Sequence, residues 1–299
     1  MTPCRVGVLM AFPSKFSADP DPHSTGKQLA ETHRSRETHL LCHRNGDVVT
    51  KTDAGGNDEM LKTTIKTLCT SKSRPIPDGE LMKIKARRNP EELTLVRKAC
   101  PGVVINIDPE SRQLQHLGKD ECYLRKGVAE RLRSANQSLP SGIRLMIWDA
   151  YRSVAAQEEM HARYVGELRV EHPFWSEAQI MELADKFIAN PRKICLHATG
   201  GVVDVTLCDD SGKVLEMGSP IDAFNQESEM NSEFISDAAK ENRALLKRCL
   251  KSREFVNYPL EWWHWSYGDS YWAAAMKREY AEYGYVEEQE RTGIEARLS

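Results

Sequence analysis

A histidine, a glycine pair and an aspartate stand close together in the chain, and residues of these types can bind a metal ion. His197 precedes the break at Gly200 and Gly201, and Asp204 lies within residues 202–207. That run is rich in Val, Thr and Leu, which predicts a β-strand. On one uninterrupted strand the side chains of His197 and Asp204 would point to opposite faces. Because glycine accepts positive φ, the pair permits a tight reversal, and we predict a short hairpin that brings imidazole and carboxylate together.

A second group of chemically active residues follows near the C-terminus, in Glu261-Trp262-Trp263-His264-Trp265. Two histidines and one aspartate are the protein ligands of many catalytic zinc sites, which keep a fourth position open. We therefore predict one zinc ion per chain, bound by His197, Asp204 and His264. Glu261 is then the base for the zinc-bound water, in a site that the tryptophans keep partly dry. Taken alone, Glu261 and His264 also fit a surface glutamate and a packed histidine among tryptophans.

In combination, the two groups match a family pattern. His-x-x-Gly, an aspartate seven residues after the histidine, and Glu-Trp-Trp-His resemble the zinc D-alanyl-D-alanine dipeptidases and related peptidoglycan carboxypeptidases and endopeptidases. The matching residues are His197, Gly200, Asp204, Glu261, Trp262, Trp263 and His264. Two further segments follow in family order, Asp-Ala-Tyr-Arg at residues 149–152 and Met-Gly-Ser-Pro-Ile-Asp at residues 217–222. The resemblance covers the chain from about residue 76 to residue 285 and implies a zinc metallopeptidase.

The resemblance also implies roles for residues outside the metal site. Arg152 would face the oxyanion that develops during hydrolysis, although taken alone it also fits an ordinary surface ion pair. Asp222 would receive the free amino group of a small dipeptide substrate. Cys195 stands at a substrate-facing position where the family usually has serine.

The match departs from the family at positions that face the substrate. Besides Cys195, the chain has Val202 where the family has alanine. It also lacks the family's Tyr-Ala-Thr…Asn-Phe segment and has residues 108–113 (Asp-Pro-Glu-Ser-Arg-Gln) in that place. Three hypotheses therefore stay open: a dipeptidase for D-Ala-D-Ala or a related small dipeptide, the same zinc chemistry on a peptidoglycan fragment or specialised-metabolite peptide, and a non-catalytic zinc-stabilised binding domain.

Composition restricts the partners and the location. A formal charge of -3 over 299 residues gives no basic footprint for nucleic acid. We expect no membrane partner, because no apolar run approaches spanning length, and no signal peptide is recognisable. The eight cysteines are scattered without a CxxC pair, which indicates free thiols in a reducing compartment. The predicted location is the cytoplasm, and the oligomeric state is left open.

The hydrophobic pattern predicts a regularly folded domain over residues 76–290, and the resemblance implies that it is a zinc metallopeptidase domain. It would follow an accessory, partly disordered N-terminal extension (residues 1–75) and precede a charged tail (residues 291–299). Strands are predicted at residues 102–107, 143–148 and from 202, and helices at residues 126–135, 154–168, 176–189, 237–251 and 273–283. The predicted class is α+β, with a small mixed or antiparallel sheet that carries the zinc site and packs against helices.

Overall fold

The computed structural model of the chain describes residues 40–42, 48–50, 74–87, 89–190, 193–223 and 225–286. All of these lie in one unit that spans Thr38–Ser299. Most of the predicted extension and all of the predicted tail fall outside the described residues. The three predicted domain boundaries therefore stay predictions.

Helices and strands alternate along the described chain. The helices are α1 (Asp78–Leu81), α2 (Val96–Ala99), α3 (Pro109–Leu114), α4 (Lys126–Gln137), α5 (Val154–Glu171), α6 (Glu177–Phe187), α7 (Asp237–Lys251) and α8 (Ser270–Ala275). The strands are β1 (Leu40–Cys42), β2 (Val48–Thr50), β3 (Leu93–Leu95), β4 (Val104–Ile105), β5 (Tyr123–Arg125), β6 (Ile143–Asp149), β7 (Val202–Asp209), β8 (Val256–Asn257) and β9 (His264–Ser266). Single turns of 3₁₀ helix span Leu196–Thr199 and Gln226–Ser228. The predicted α+β class is confirmed.

The central sheet has five strands in the order β4-β6-β7-β9-β8. β4 runs parallel to β6, whereas the other neighbours are antiparallel, so the sheet is mixed as predicted. Its register places Asp149 opposite Asp204, and Asp204 opposite His264. Since neighbouring strands lie about 4.8 Å apart, this row brings three polar side chains from three strands to one level of the sheet.

The sheet is rigid where it carries this row, because its central strands are buried. Every residue of β7 except the last is buried, and β6 is a nearly continuous apolar run. Helices α4 and α7 pack on each other, and α7 also packs on β7. The largest buried side chains in this core are Trp262, Trp263, Trp265, Phe255, Leu145, Ile147, Leu207 and Leu246.

Local capping chemistry sets most of the predicted helices. Helix α7 spans the predicted residues 237–251, and the Ser236 side chain accepts a hydrogen bond from the Ala239 N–H (3.0 Å). The predicted capping box of Ser176 and Gln179 opens α6. Helix α4 extends two residues past its predicted end. Within the described part of the chain, no helix is both long and apolar enough to cross a lipid bilayer.

The last predicted helix is wrong in its extent, since α8 replaces the predicted span of residues 273–283. Helix α8 ends where Lys277 takes a left-handed φ of 54°. Beyond that point the backbone pairs with other segments. Ala281 N–H donates to Lys85 O (3.0 Å) and Tyr283 N–H donates to Gly268 O (2.9 Å). The apolar residues past Lys277 therefore belong to an extended segment. Their spacing alone does not distinguish such a segment from a helix. The predicted strand at residues 102–107 also shortens, to β4.

A first prediction tests the close contact between Gly201 and the backbone of Tyr267. A Cβ on Gly201 would lie 2.4 Å from Tyr267 O, which is a backbone atom that cannot move aside without distorting β9. We expect Gly201→Ala to lower the free energy of unfolding by about 1–3 kcal/mol, the usual cost of overpacking. Gly166→Ala in α5 is the matched control, because its Cβ meets nothing within 4 Å. Urea titration should show it neutral or stabilising by up to about 1 kcal/mol; equal effects of the two changes would contradict the contact argument.

Candidate metal centre and active site

His197 reaches the site from the 3₁₀ turn Leu196–Thr199, and not from the predicted hairpin. The Gly200 N–H donates to His197 O (3.1 Å), so this turn bonds within itself and forms no second strand. Gly200 then reverses the chain into β7 with a φ of 70°, so the positive φ predicted for the glycine pair is found at its first member. A Cβ there would lie 2.5 Å from Leu93 Cδ2, so glycine is required for space as well.

The three predicted metal ligands converge. One donor atom from each of His197, Asp204 and His264 lies within 4.8 Å of the others, and all three residues are buried. His197 Nε2 is 3.4 Å from one Asp204 oxygen, and His264 Nδ1 is 3.1 Å from the other. His197 Nδ1 donates to the Ala150 carbonyl oxygen at 2.7 Å. This bond fixes the tautomer and leaves Nε2 free to act as a ligand.

The donor set fits a cation. Imidazole nitrogens that face carboxylate oxygens can share a proton or a metal ion placed between them. Asp204 Oδ1 is buried and lies 3.1 Å from His264 Nδ1, but the pair lacks the geometry of a regular hydrogen bond. Burial alone would raise the pKa of Asp204, but the charges of His197 and His264 outweigh burial and hold this pKa far below its usual range. Burial works in the opposite direction at His197, where Asp204 outweighs it and raises the pKa of the imidazole.

Glu261 lies beside this trio and is itself buried. Its Oε2 is 3.7 Å from His264 Nδ1. The turn between β8 and β9 fixes it, since the Glu261 N–H donates to Tyr258 O (3.1 Å) and Asn257 Nδ2 donates to Glu261 O (2.8 Å). Trp262 and Trp263 pack edge to face next to it, with ring centroids 5.4 Å apart. The arrangement holds a carboxylate in a mostly apolar wall at the edge of the metal site.

Arg152 follows β6 and approaches the same site. Its Nη1 lies 3.3 Å from Asp149 Oδ2, and its backbone N–H donates to His197 O (3.4 Å). Asp149 is fixed in turn, because its Oδ1 accepts from Ser111 Oγ (3.0 Å) and from the Ala150 N–H (2.8 Å). Arg152 Nε is buried and has no acceptor among the described residues. The ion pair with Asp149 therefore holds the guanidinium beside the metal ligands.

Asp222 stands in a loop between β7 and α7 with a left-handed φ of 61°. The residue is exposed to solvent. Desolvation of the carboxyl group raises its pKa to about 8, with further contributions from the charges of Asp204, Glu261 and Asp108. The carboxylate thus lies in the same electrostatic field as the metal ligands, and a cationic group placed beside it would relieve the repulsion.

Cys195 lies at the start of the turn that carries His197. It is a buried free thiol with 2% of its surface exposed, and its backbone N–H donates to Tyr285 OH (2.9 Å). Burial raises the pKa of the thiol, against the opposing charge of Arg152. The thiol is therefore a neutral, packed group near Arg152, and its predicted contact with substrate stays a prediction.

Two carboxylates of the site were not singled out from the sequence. Asp149 lies in the row with Asp204 and His264, and Asp108 is near enough to Asp222 to affect its pKa. Asp108 also caps α3 by accepting from the Ser111 N–H (2.8 Å). A signal was present for both, since an aspartate directly after a buried strand and an aspartate before proline both mark the end of an element.

Comparisons with known proteins agree with this geometry. A sequence model described as D-ala-D-ala dipeptidase matches residues 112–284, more than half of the chain, and that span contains every predicted site residue. A D-alanyl-D-alanine dipeptidase from Synechocystis sp. is 31% identical over 185 residues, which cover 52% of this chain and 73% of the relative. The enzyme of the same name from Enterococcus faecalis is 28% identical over 162 residues, which cover 50% of this chain and 78% of the relative.

Among solved structures, "VanYB in complex with D-Alanine-D-Alanine" covers 52% of this chain and 76% of its own length, at 17% identity and a TM-score of 0.34. That score is too low to support an argument, so the assignment depends on the sequence match and on the site. The sequence match spans the whole site, and the family pattern that predicted the site is present in full at the metal ligands and Glu261. The chain therefore belongs to the D-ala-D-ala dipeptidase family, and it is a metallopeptidase.

Proposed function

We propose that this chain is a zinc-dependent dipeptidase that hydrolyses D-Ala-D-Ala or a related small dipeptide. The observation that carries the proposal is the buried carboxylate of Glu261 beside a three-donor metal site. Family membership and the names of the two relatives support the substrate class. The cytoplasmic location predicted from the cysteines remains part of the proposal.

The donors suit zinc, with His197 Nε2, Asp204 and His264 Nδ1 as the ligands. Catalytic zinc sites in proteins typically have three such ligands and one open position. When bound, zinc supplies a Lewis acid that polarises the scissile carbonyl and lowers the pKa of water. The hydrogen bond from His197 Nδ1 to Ala150 O holds the ring in the orientation that this requires.

Glu261 is the general base of the proposed reaction. Its carboxylate accepts a proton from the attacking water and then gives that proton to the leaving amine. The surrounding tryptophans exclude bulk water, which strengthens the electrostatic interactions inside the site. The turn that fixes its backbone keeps the carboxylate next to His264 through both proton transfers.

Arg152 stabilises the oxyanion in this proposal. A preorganised donor aimed at developing charge is worth more in a dry site than in water. The ion pair with Asp149 fixes one side of the guanidinium, and the positive charge of the group is the part that would stabilise the oxyanion. Asp222 supplies the opposite charge for the free amino group, and Cys195 contributes a neutral, packed wall near Arg152.

A panel of dipeptides tests the proposal directly. D-Ala-D-Ala and its L,L, D,L and L,D isomers would be incubated with protein purified without added metal, with and without a zinc chelator. We expect hydrolysis of D-Ala-D-Ala or a close analogue, lost with chelator and restored by zinc. If no dipeptide is hydrolysed although zinc is bound, the non-catalytic binding domain replaces this proposal.

A second candidate keeps the chemistry and changes the substrate to a peptidoglycan fragment or a specialised-metabolite peptide. One departure favours it. The chain has Asp108 and its neighbours where the family has the Tyr-Ala-Thr segment, so the wall around the amino end differs from the family's. Adding muropeptides to the panel separates the two candidates, because a dipeptidase should leave longer peptides intact.

A prediction about Asp222 tests recognition of the amino end. If Asp222 pairs with a free ammonium group, N-acetylation of D-Ala-D-Ala should lower kcat/KM through loss of a charged hydrogen bond, worth about 1.5–3 kcal/mol or roughly 10–150-fold. Asp222→Asn should reduce kcat/KM for the free dipeptide. It should also bring the ratio of kcat/KM for the free dipeptide to that for the acetylated dipeptide closer to one. Asparagine tolerates a left-handed φ, so the loop should keep its conformation.

Asp237→Asn serves as the matched control, because the Asp237 side chain is 97% exposed and its carboxylate pairs with Lys240 at 3.4 Å. It should leave the ratio of free to acetylated substrate unchanged. A wild-type protein that cleaves the acetylated peptide as well as the free one would remove Asp222 from substrate recognition.

A further inference from the structure

Two buried arginines of the described chain each bind three backbone carbonyls from segments that lack regular pairing. Arg125 is 3% exposed and Arg243 is 2% exposed. An arginine has five N–H donors in a rigid fork, whereas lysine offers only a point charge. A buried charge is costly unless it is fully hydrogen-bonded, so both side chains must be held for a specific reason.

Arg125 binds the turn that carries His197. Its Nε donates to Thr199 O (3.0 Å), and its backbone N–H donates to Gly200 O (2.9 Å). The other two guanidinium nitrogens reach Glu91 O and Gly284 O, and the group lies over the Tyr283 ring at 5.6 Å. The guanidinium therefore ties the carboxyl end of the His197 turn to two distant parts of the chain.

Arg243 binds the segment that carries Asp222, here called the Asp222 loop (residues 216–223 and 225–231). Its three nitrogens donate to Met217 O (2.7 Å), Glu229 O (2.6 Å) and Glu227 O (2.5 Å). These carbonyls lie on both sides of Asp222, so one side chain closes the loop at its base. Desolvation lowers the pKa of Arg243 to about 10, so it stays charged at neutral pH.

Other hydrogen bonds also support the Asp222 loop, among them those from Ser236 Oγ to Glu216 Oε1 (2.6 Å) and from Met230 N–H to Pro259 O (3.0 Å). Asn242 Nδ2 donates to Glu216 O (2.8 Å), and Trp262 Nε1 donates to Ser219 Oγ (3.0 Å). The second bond links the loop to the residue that follows Glu261. Arg243 also lies over the Trp262 ring at 5.4 Å, so it contacts the residue that follows Glu261 as well as the loop.

We infer that the two arginines are positioning residues with separate tasks. Arg125 fixes the turn of His197 and thereby sets metal affinity. Arg243 fixes the Asp222 loop and thereby sets recognition of the substrate's amino group. The second task depends on the proposed function, whereas the first does not.

The test crosses two variants with two readouts. Arg125→Lys and Arg243→Lys keep the charge and remove the fork, so each is the matched control of the other. The first readout is the rate of zinc release from the holoprotein to a chromogenic chelator. The second is the ratio of kcat/KM for D-Ala-D-Ala to that for N-acetyl-D-Ala-D-Ala, measured at saturating zinc. Thermal unfolding of both variants measures the general loss of stability.

We expect Arg125→Lys to speed zinc release by roughly 10–100-fold, matching the loss of metal affinity typical when groups that orient metal ligands are removed, and to leave the substrate ratio unchanged. Arg243→Lys should lower the ratio by about tenfold or more, since small misplacements of a binding group are costly, and should retain zinc. If both variants change both readouts in proportion to their loss of thermal stability, the arginines are merely structural and the inference is wrong.

If either lysine substitution prevents folding, milder variants test the same inference. Tyr285→Phe removes the acceptor of the Cys195 N–H at the other end of the His197 turn, and should speed zinc release alone. Asn242→Ala removes the hydrogen bond to Glu216 O at the base of the Asp222 loop, and should lower the substrate ratio alone. If wild-type protein hydrolyses no dipeptide, the proposed function fails. In that case calorimetric affinities for the free and acetylated dipeptides replace kcat/KM. If wild type and Arg243→Lys have equal affinities, the inference about Arg243 is wrong.

Discussion

Replacement of Glu261 by glutamine is expected to lower turnover by roughly 10²–10⁴-fold, the usual contribution of a positioned acid or base. Glutamine has the same shape but cannot accept the proton of the attacking water at pH 7. The backbone bonds that fix this turn, to Tyr258 and from Asn257, do not involve the side chain and should persist. The zinc content and the unfolding temperature should therefore stay close to those of wild type.

Glu159→Gln is a matched control for the loss of one negative charge, because the Glu159 side chain is 55% exposed and pairs with Arg163 at 2.8 Å. It should leave kcat within about twofold, as surface ion pairs contribute little. The measurement is kcat on the best dipeptide at saturating zinc, together with elemental analysis of both variants. Unchanged turnover in Glu261→Gln would remove this residue from the mechanism and favour a base elsewhere in the site.

The metal trio was predictable because its signal is local. Asp204 lies within β7, which is rich in β-branched residues. The glycine pair directly before this strand permits the chain reversal that leads into it. Glu261 and His264 are three residues apart on one turn. The family pattern then joined the two segments, and the register confirms that join by placing Asp204 opposite His264. The residue spacing within each segment and one pairing between the two segments were sufficient to predict the metal ligands.

The parts that the sequence did not predict depend on contacts between distant segments. The His197 turn bonds within itself as a 3₁₀ turn, and Arg125, 72 residues earlier in the chain, binds its carboxyl end. The segment after Lys277 has helical spacing but pairs with Lys85 and Gly268. Nothing in a single stretch of sequence identifies such partners. Propensity therefore gave the right element where the ends are capped locally, as at Ser236, and the wrong one where tertiary pairing competes with the helix.

The metal site itself carries the last prediction. Protein purified without added metal should contain about one zinc ion per chain by elemental analysis. The His197→Ala and His264→Ala double variant should contain none, because Asp204 alone cannot hold the ion. The same change leaves a buried carboxylate without its two charge partners. Removing the partner of a buried ion pair typically costs about 3–5 kcal/mol, so the free energy of unfolding should also fall.

The size of this loss of stability should depend on pH in a predictable direction. The histidines hold the pKa of Asp204 below its value in the unfolded chain, so their contribution is present above that unfolded value and is lost as pH falls. The double variant should therefore differ most from wild type near neutral pH and converge with it in acid. Chelator-treated wild type separates the effect of the ion from that of the side chains.

His161→Ala is the matched control, since His161 is also buried and pairs with a carboxylate, Asp185, at 2.9 Å. It lies on α5, and Asp185 keeps its bonds from Asn190 and Lys193. This variant should lose some stability and keep its zinc. A stoichiometric metal that survives in the double variant, or one that disappears equally in His161→Ala, would place the ion somewhere other than between His197, Asp204 and His264.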